Sequence, residues 1–84
     1  MSDVHANFEA YEGTVSTETT LTFNRKSRKI VILNDHASND LTYKFKAGQD
    51  TGTLKATESL SVYLRTNQVI LNSTSAPYRV WVFG

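Results

Sequence analysis

The fold is decided by the stretch Pro77-Tyr78-Arg79-Val80-Trp81-Val82-Phe83. Pro77 excludes a helix that includes the residues just before it, and proline suits the first position of a strand. Five of the six residues that follow are β-branched or aromatic, which is the composition of a strand. Alternation places Tyr78, Val80 and Val82 on one face and the other three residues, which include the only tryptophan, on the opposite face. Because both faces carry apolar groups, we expect the second face to be covered by another layer or by another subunit.

The length of the chain limits how much apolar surface it can bury. We expect its 84 residues to form one domain, and a domain of this size buries only about 60–65% of the surface of its unfolded chain. The chain has no cysteine, so neither a disulfide nor a thiolate metal site can stabilise it. Stability must come from core packing or from oligomerisation, and oligomerisation fits a terminal strand that is apolar on both faces.

The charge and hydropathy of the chain narrow the class of partner. A net charge of +1 and a pI near 8.0 are too balanced to indicate nucleic acid or an anionic membrane as the main partner. The longest apolar run, residues 30–33, is far shorter than the ~20 residues of a membrane span. Residues 1–5 have no basic start and no apolar core, so we expect no signal peptide and synthesis in a cytoplasm.

Apolar runs and alternating patterns predict strands at intervals of about ten residues. The predicted strands cover residues 19–23, 29–34, 41–46, 53–55, 59–64, 69–71 and 77–83. The segments between them are rich in Asn, Asp, Ser and Gly, which is typical of turns, and we predict no helix among them. The pattern predicts an all-β fold, a small antiparallel β-sandwich or barrel of about seven strands.

Residues 1–16 are predicted to form an N-terminal arm or edge strand ahead of a β-sandwich domain of residues 17–84. Alternation of apolar and polar residues in this segment favours a strand. The i, i+4, i+7 spacing of Val4, Phe8 and Tyr11 leaves a short helix as the alternative. The β-branched residues that follow favour the extended form.

The predicted strands contain more apolar residues than one core of this size can bury. The predicted core positions are Leu21, Phe23, Ile30, Ile32, Leu41, Tyr43, Phe45, Leu54, Leu60, Val62, Leu64, Val69, Leu71, Val80 and Val82. The apolar residues left over are Phe8, Tyr11, Val31, Leu33, Ile70, Trp81 and Phe83. A surplus of this kind indicates an interface, and the predicted interface residues are Phe8, Tyr11, Ile70, Trp81 and Phe83.

No residue pattern indicates catalysis or metal binding. Asp35, His36 and Ser38 supply the residue types of a catalytic triad, but neighbours in one loop rarely converge as a triad requires. His5 and His36 are far apart and lack the spacing of a metal-binding pair. We therefore predict no catalytic residue, no metal, no cofactor and no enzymatic activity.

The run Arg25-Lys26-Ser27-Arg28-Lys29 carries four positive charges and has two interpretations. It can contact phosphates or an acidic partner surface, or it is a solvated hairpin tip that discourages edge-to-edge aggregation. Arg25, Lys26, Arg28 and Lys29 are kept as a candidate electrostatic contact.

Three aromatic residues, Tyr63, Trp81 and Phe83, also have two interpretations. They can form a platform on which a sugar or a base stacks, or they can pack in a subunit contact. The terminal strand carries few hydrogen-bonding groups beside its aromatic residues, which favours the subunit contact.

Four segments of the chain, taken in order, carry a recognisable pattern of side chains. They are residues 30–35, then Ser38-Asn39-Asp40-Leu41-Thr42-Tyr43-Lys44-Phe45, then Gly52-Thr53-Leu54-Lys55-Ala56-Thr57-Glu58-Ser59-Leu60, then Tyr78-Arg79-Val80-Trp81-Val82. Together they resemble a pattern of small tail- or head-associated structural proteins of bacteriophages. The resemblance covers residues 30–84 and includes no catalytic motif.

The resemblance implies a β-sandwich component of the virion, either a capsid decoration (cement) protein or a small tail module. It implies an oligomer whose partner is the major capsid or tail protein. Decoration proteins of this kind are often trimers that sit on local symmetry axes and bind the shell with a terminal arm. No individual contact of the family carries over to this chain, because the matching positions are structural.

The leading hypothesis from the sequence is therefore a non-enzymatic structural protein of a phage particle, located in the virion. The alternative is a carbohydrate- or ligand-binding β-module that uses Tyr63 and Trp81 with the loop residues Asn34 and Asp35. A third hypothesis, a nucleic-acid binder that uses residues 25–29, conflicts with the near-neutral charge.

Overall fold

The computed structural model describes residues 8–84, which form eight β-strands and no helix. The strands are β1 (Phe8–Val15), β2 (Thr19–Thr22), β3 (Lys29–Asn34), β4 (Leu41–Lys44), β5 (Gly52–Leu54), β6 (Ser59–Val62), β7 (Gln68–Asn72) and β8 (Ala76–Phe83). His5 and the first part of the predicted arm lie outside the described residues.

The eight strands form two four-stranded antiparallel sheets. The strand order is β1-β8-β3-β6 in the first sheet and β2-β7-β4-β5 in the second sheet. Apart from β4 and β5, strands that follow one another in the chain lie in different sheets. This arrangement is a jelly roll, an antiparallel sandwich built from two Greek keys.

The predicted fold class, a small all-β antiparallel sandwich, is confirmed. The structure has eight strands where the sequence predicted about seven, and the additional strand is β1. It lies at the edge of the first sheet and pairs with β8 along its whole length, from Phe8 opposite Phe83 to Val15 opposite Ala76.

The terminal strand β8 is central in the first sheet, between β1 and β3. Its alternation is the one predicted, because Tyr78, Val80 and Val82 point inward and are buried. Trp81 on the opposite face is only half-buried, and Phe83 is 37% exposed. The inner face of β8 therefore belongs to the core, and its outer face stays partly open to solvent.

The core fills the space between the two sheets and is apolar. Its buried members are Val15, Phe23, Ile30, Ile32, Leu41, Leu54, Val69, Leu71, Ala76, Tyr78, Val80 and Val82. Most predicted core positions are in this set or pack against it. Leu64 is an exception, because β6 already ends at Val62 and Leu64 is half-buried in the following loop. Fully burying one such aliphatic side chain stabilises the fold by about 1.5–3 kcal/mol.

Asn34 at the end of β3 is buried, with 1% of its surface exposed. Its side-chain Nδ2 lies 2.8, 3.1 and 3.2 Å from the carbonyl oxygens of Asn39, Leu54 and Lys55, to which it donates. Its Oδ1 accepts a hydrogen bond from the backbone N–H of His36 at 3.0 Å. One buried amide thus ties loop 35–40 to the end of β5.

A second buried polar residue, Ser27, joins two loops at the opposite end of the sandwich. Its Oγ donates to the carbonyl of Leu64 at 2.5 Å and accepts from the backbone N–H of Thr66 at 3.2 Å. The backbone N–H of Ser27 donates to the carbonyl of Thr66 at 2.8 Å. Because Ser27 is fully buried, these bonds fix loop 23–28 against loop 63–67.

Candidate interaction surface

The outward-facing residues of the first sheet form a surface that we call the outer face. The strand register gives it three rows across the sheet: Phe8, Phe83 and Lys29; Ala10, Trp81, Val31 and Ser61; Glu12, Arg79, Leu33 and Ser59. The middle row is mostly apolar, and the charged groups lie in the two flanking rows: Lys29 in one, Glu12 and Arg79 in the other. The surplus apolar residues predicted from the sequence are therefore mostly gathered on one surface.

The outer face exposes large apolar side chains. Phe8 is 46% exposed, Phe83 is 37% exposed, and Tyr63, which follows β6 at the margin of this face, is 79% exposed. These three are the exposed large hydrophobic side chains of residues 8–84. Val31 and Leu33 are half-buried. The outer side of β3 is therefore partly open to solvent in the single chain.

Aromatic rings and a lysine pack together at one end of the outer face. The rings of Phe8 and Phe83 have centroids 5.2 Å apart. The ammonium Nζ of Lys29 lies 5.6 Å from the ring centroid of Phe83 and 5.5 Å from that of Tyr63. Cation–π contacts at exposed sites contribute about 0.5–1 kcal/mol each. Lys29 therefore contacts the rings of Phe83 and Tyr63 and leaves both rings partly exposed.

An ion pair borders the outer face at its other end. Arg79 donates to both carboxylate oxygens of Asp35, from Nε at 2.8 Å and from Nη2 at 3.0 Å, and this contact raises the pKa of Arg79 above its usual value. The guanidinium carbon of Arg79 also lies 5.6 Å from the ring centroid of Trp81. An apolar centre with a charged rim is the usual anatomy of a protein–protein interface.

Tyr11, a predicted interface residue, does not lie on the outer face. Tyr11 is three positions after Phe8, and an odd spacing along a strand places two side chains on opposite faces. Its ring lies 5.7 Å from the ring of Phe23 and packs against the core, and its hydroxyl donates to the carboxylate of Glu9. Tyr11 therefore packs on the inner side of β1 rather than on the outer face.

Ile70, another predicted interface residue, offers little surface to a partner. It lies in β7, between Thr20 of β2 and Lys44 of β4 in the register, and is only 7% exposed. Its flanking neighbours cover it within the chain. Of the predicted interface residues, Phe8, Trp81 and Phe83 lie on the outer face. Val31 and Leu33 of the surplus apolar set lie there too, and Tyr63 lies at its margin.

The environment of Tyr11 predicts a loss of stability at alkaline pH. Burial and the hydrogen bond to Glu9 raise the pKa of Tyr11 from 10.0 to about 12. As the pH rises, the Tyr11 hydroxyl therefore loses its proton in the unfolded chain before it does so in the folded chain. The contribution of the protonated Tyr11 hydroxyl to the free energy of unfolding is complete below pH 10 and is lost as the pH rises through about 12. We expect Tyr11→Phe to show a shallower fall in unfolding free energy over this interval, measured by urea denaturation. Equal slopes for the variant and the wild type would contradict this account.

The predicted basic run is divided by the structure. Arg25, Lys26 and Arg28 are exposed in loop 23–28, whereas Lys29 is the first residue of β3 and turns to the outer face. The buried Ser27 lies between them. The run therefore does not act as one continuous patch.

The three residue types of a triad are engaged in loop structure. Nδ1 of His36 accepts hydrogen bonds from the backbone N–H groups of Ser38 and Asn39, both at 2.9 Å. Ser38 Oγ lies 3.4 Å from the same nitrogen. Asp35 is paired with Arg79 rather than with the imidazole. His36 therefore organises loop 35–40.

Residues 8–84 contain neither a cluster of metal ligands nor a membrane-spanning helix. In this part of the chain no three His, Cys, Asp or Glu side chains gather in a group that could hold a metal ion. None of these residues belongs to a helix with the length and apolar composition needed to cross a membrane.

An open polar depression of about 550 Å³ lies between loops 35–40 and 73–75. It is lined by Ser38, Asn39, Asp40, Thr42, Asn72, Ser73 and Thr74. Its walls are joined by side-chain hydrogen bonds: Ser73 Oγ donates to the carbonyl of Asp40 at 2.7 Å, and Asn39 Nδ2 donates to the carbonyl of Ser75 at 2.7 Å. The depression therefore has fixed walls and hydroxyl, amide and carboxylate groups.

The ligand-binding site predicted from the sequence consists of residues other than those that line the depression. Asn34 is buried and its amide is fully used by the loop hydrogen bonds. Asp35 is paired with Arg79, and Tyr63 and Trp81 belong to the outer face. The structure therefore does not bring these residues together into one polar ligand site.

No family model matches the chain, and no curated protein matches its sequence. Its fold is similar to that of a cupin-2 domain-containing protein from Shewanella frigidimarina, with a TM-score of 0.60 and 11% identity over 93% of this chain and 72% of the other. It is also similar to FeII HppE, with a TM-score of 0.64 and 10% identity over 93% of this chain and 44% of the other. At these identities the likenesses show a shared fold.

The coat protein of Tobacco streak virus also matches, with 9% identity over 93% of this chain and 87% of the other. Its TM-score of 0.36 is too low to support an argument about function. The comparisons therefore support the jelly-roll fold, and the function has to be argued from the surfaces of the chain.

Proposed function

We propose that this chain is a non-enzymatic structural protein that assembles through its outer face, as an oligomer within a phage particle. The observation that supports the proposal is the row of Trp81 and Val31, flanked by the exposed ring of Phe83, at the centre of one sheet. The resemblance of residues 30–84 to phage structural proteins suggests capsid decoration as the specific role, with the major capsid or tail protein as a further partner.

A second copy of the chain is the occupant that best fits the outer face. Glu12 and Lys29 lie in the two flanking rows of this face, on strands at either side of β8. When a second copy packs its outer face against this one, with its strands rotated relative to those of the first copy, its Glu12 can lie near Lys29 of the first copy. The apolar rows then cover one another, and the rim charges of opposite sign meet.

The self-association is tested by sedimentation and light scattering at micromolar concentrations and moderate salt. We expect the wild type to associate and Val31→Lys, with a charge at the centre of the outer face, to be a folded monomer. Thr20→Lys is the matched control, because Thr20 is exposed in the second sheet, and it should behave like the wild type. A wild-type chain that stays monomeric, or equal effects of the two lysines, would contradict assembly through this face.

The assignment to a phage particle is tested separately by the genes that flank the coding sequence. Neighbouring capsid or tail genes would support it. A position among metabolic genes with no phage gene nearby would contradict it, without bearing on the self-association.

A ligand-binding β-module is the second candidate, and the polar depression is the observation that favours it. Its hydroxyl, amide and carboxylate groups can bond to a neutral, hydroxyl-rich ligand such as a sugar. The test is a titration with a panel of mono- and oligosaccharides, followed by NMR. Binding here should shift the amide signals of Thr42 and Thr74 and should be weakened by Asn72→Ala. The absence of any shift at millimolar sugar would exclude this candidate.

A further inference from the structure

The loops at the two ends of the sandwich differ in charge. The pairing of the antiparallel strands collects one set of loops at each end. The first set, which we call the basic end, comprises loops 23–28, 45–51 and 63–67. The second set, which we call the acidic end, comprises loops 16–18, 35–40, 55–58 and 73–75.

The near-neutral total charge conceals this separation. The charged residues in the loops of the basic end are Arg25, Lys26, Arg28, Lys46, Arg65 and a single acid, Asp50. Those in the loops of the acidic end are Glu18, Asp35, Asp40, Glu58 and a single base, Lys55. All of them are exposed. Within residues 8–84, the loops therefore carry a net positive charge at one end of the sandwich and a net negative charge at the other.

The fold brings Lys46 and Arg65 to the same end as the basic run. Phe45, Lys46 and Gln49 line a common depression with residues 64–68, so that Lys46 and Arg65 both take part in it. Loop 63–67 is in turn bonded to loop 23–28 through Ser27. The sequence shows only the run of residues 25–29, because the other two cations are far away along the chain.

The backbone that carries these cations is fixed by hydrogen bonds. In addition to the bonds of Ser27, the N–H of Leu64 donates to the carbonyl of Arg28 at 3.1 Å, and the N–H of Phe23 donates to the carbonyl of Asn67 at 2.7 Å. A partner that binds here does not have to order the loops first, which lowers the entropic cost of association.

Not every acidic group at the opposite end is available to a partner. Asp35 is bound to Arg79, and Oε1 of Glu58 accepts the backbone N–H of Lys55 at 2.7 Å. Asp40 lines the polar depression, and Glu18 makes a loose contact with Lys44 at 3.8 Å. Asp40 and Glu18 therefore remain the principal negative charges for an incoming basic surface.

We propose that the basic end of one copy docks on the acidic end of the next copy. This head-to-tail contact is separate from the outer face and does not depend on the function proposed above. Because it joins different surfaces of two identical chains, it is heterologous, and it generates a closed ring when the rotation between copies permits and an open chain otherwise. The matching negative end on the same molecule favours a second copy over nucleic acid as the partner.

The contact depends on charge and is therefore sensitive to salt. Charges on two exposed surfaces are screened over about 10 Å at 0.1 M ionic strength. Association through an apolar face is not weakened by added salt in this way. The two contacts can therefore be distinguished, because added salt weakens the end-to-end contact and not the outer-face contact.

The experiment uses the outer-face variant Trp81→Ala as its background, at a concentration at which this variant is monomeric in high salt, so that association at low salt reports the end-to-end contact. Lys26→Glu/Arg65→Glu removes the net positive charge from the loops of the basic end, and Glu18→Lys/Asp40→Lys reverses the net charge of the loops of the acidic end. Sedimentation at low salt should show association of the background protein, none for either reversed variant alone, and association again when the two are mixed in equal amounts. Added salt should dissociate the mixture.

Two results would overturn the proposal. The first is a mixture of the two reversed variants that remains monomeric at low salt while circular dichroism shows both to be folded. The second is salt-sensitive binding of a labelled oligonucleotide that Lys26→Glu/Arg65→Glu abolishes, without any end-to-end association of the background protein. That second result would assign the basic end to nucleic acid.

Discussion

Asn34→Asp should lower the free energy of unfolding at neutral pH by about 3 kcal/mol or more. The substitution keeps the shape of the side chain but replaces its amide donor with an acceptor. The carbonyls of Asn39, Leu54 and Lys55 then lose their shared partner, and each unsatisfied buried group costs about 1–3 kcal/mol. The new carboxylate also has to be charged inside the protein, facing those carbonyl oxygens.

The loss should diminish as the pH falls, because a protonated carboxyl regains one donor. Urea denaturation at several pH values measures it. Asn67→Asp is the matched control, since Asn67 is exposed and its side chain supports no such network, and we expect it to change stability by less than about 0.5 kcal/mol. If the two variants were equally stable, Asn34 would not be what holds loop 35–40.

Trp81→Ala should weaken self-association at least tenfold while the monomer stays folded. The ring is half-buried at the centre of the outer face, between Ala10 and Val31 in the register. Central aromatic residues of interfaces commonly contribute about 2 kcal/mol or more to binding. Because the ring is not enclosed, we expect a smaller loss of monomer stability than the ~3–5 kcal/mol of a fully buried aromatic residue.

Sedimentation at moderate salt measures the association, and denaturation at low protein concentration measures the monomer. Tyr63→Ala is the comparison, because Tyr63 is 79% exposed at the margin of the same face and should affect association less. Unchanged association together with a loss of several kcal/mol in the monomer would place the role of Trp81 within the subunit.

The fold class and the two faces of β8 were predictable because strand alternation is a local property. Tyr78, Val80 and Val82 share one face in any sheet, whatever lies beside them. The same reasoning identified Trp81 and Phe83 as residues outside the core. Local patterns therefore predicted most of the outer face.

Positions that depend on strand neighbours were not predictable in this way. Ile70 is covered because β2 and β4 flank it, and strand order is not visible in a single sequence. Lys46 and Arg65 join the basic end only through loop packing. The buried Ser27 gave no signal, because a serine within a basic run is usually solvated.

Tyr11 was misplaced for a simpler reason. Phe8 and Tyr11 were treated together as parts of one arm, although their spacing already separates them once the segment is a strand. In the extended form that the sequence favours, this spacing assigns Phe8 outward and Tyr11 inward.

The pairing of β1 with β8 has a consequence for the order in which the molecule forms. The first described strand can complete its ladder only after residues 76–83 have left the ribosome, since Phe8 pairs with Phe83 and Val15 with Ala76. Such distant pairings require large loops to close before the contacts between the strands can stabilise them. Folding is therefore slow compared with that of helical proteins. During that interval β1 and β3 both present an unpaired edge, and the nascent chain must avoid pairing them with the wrong partner.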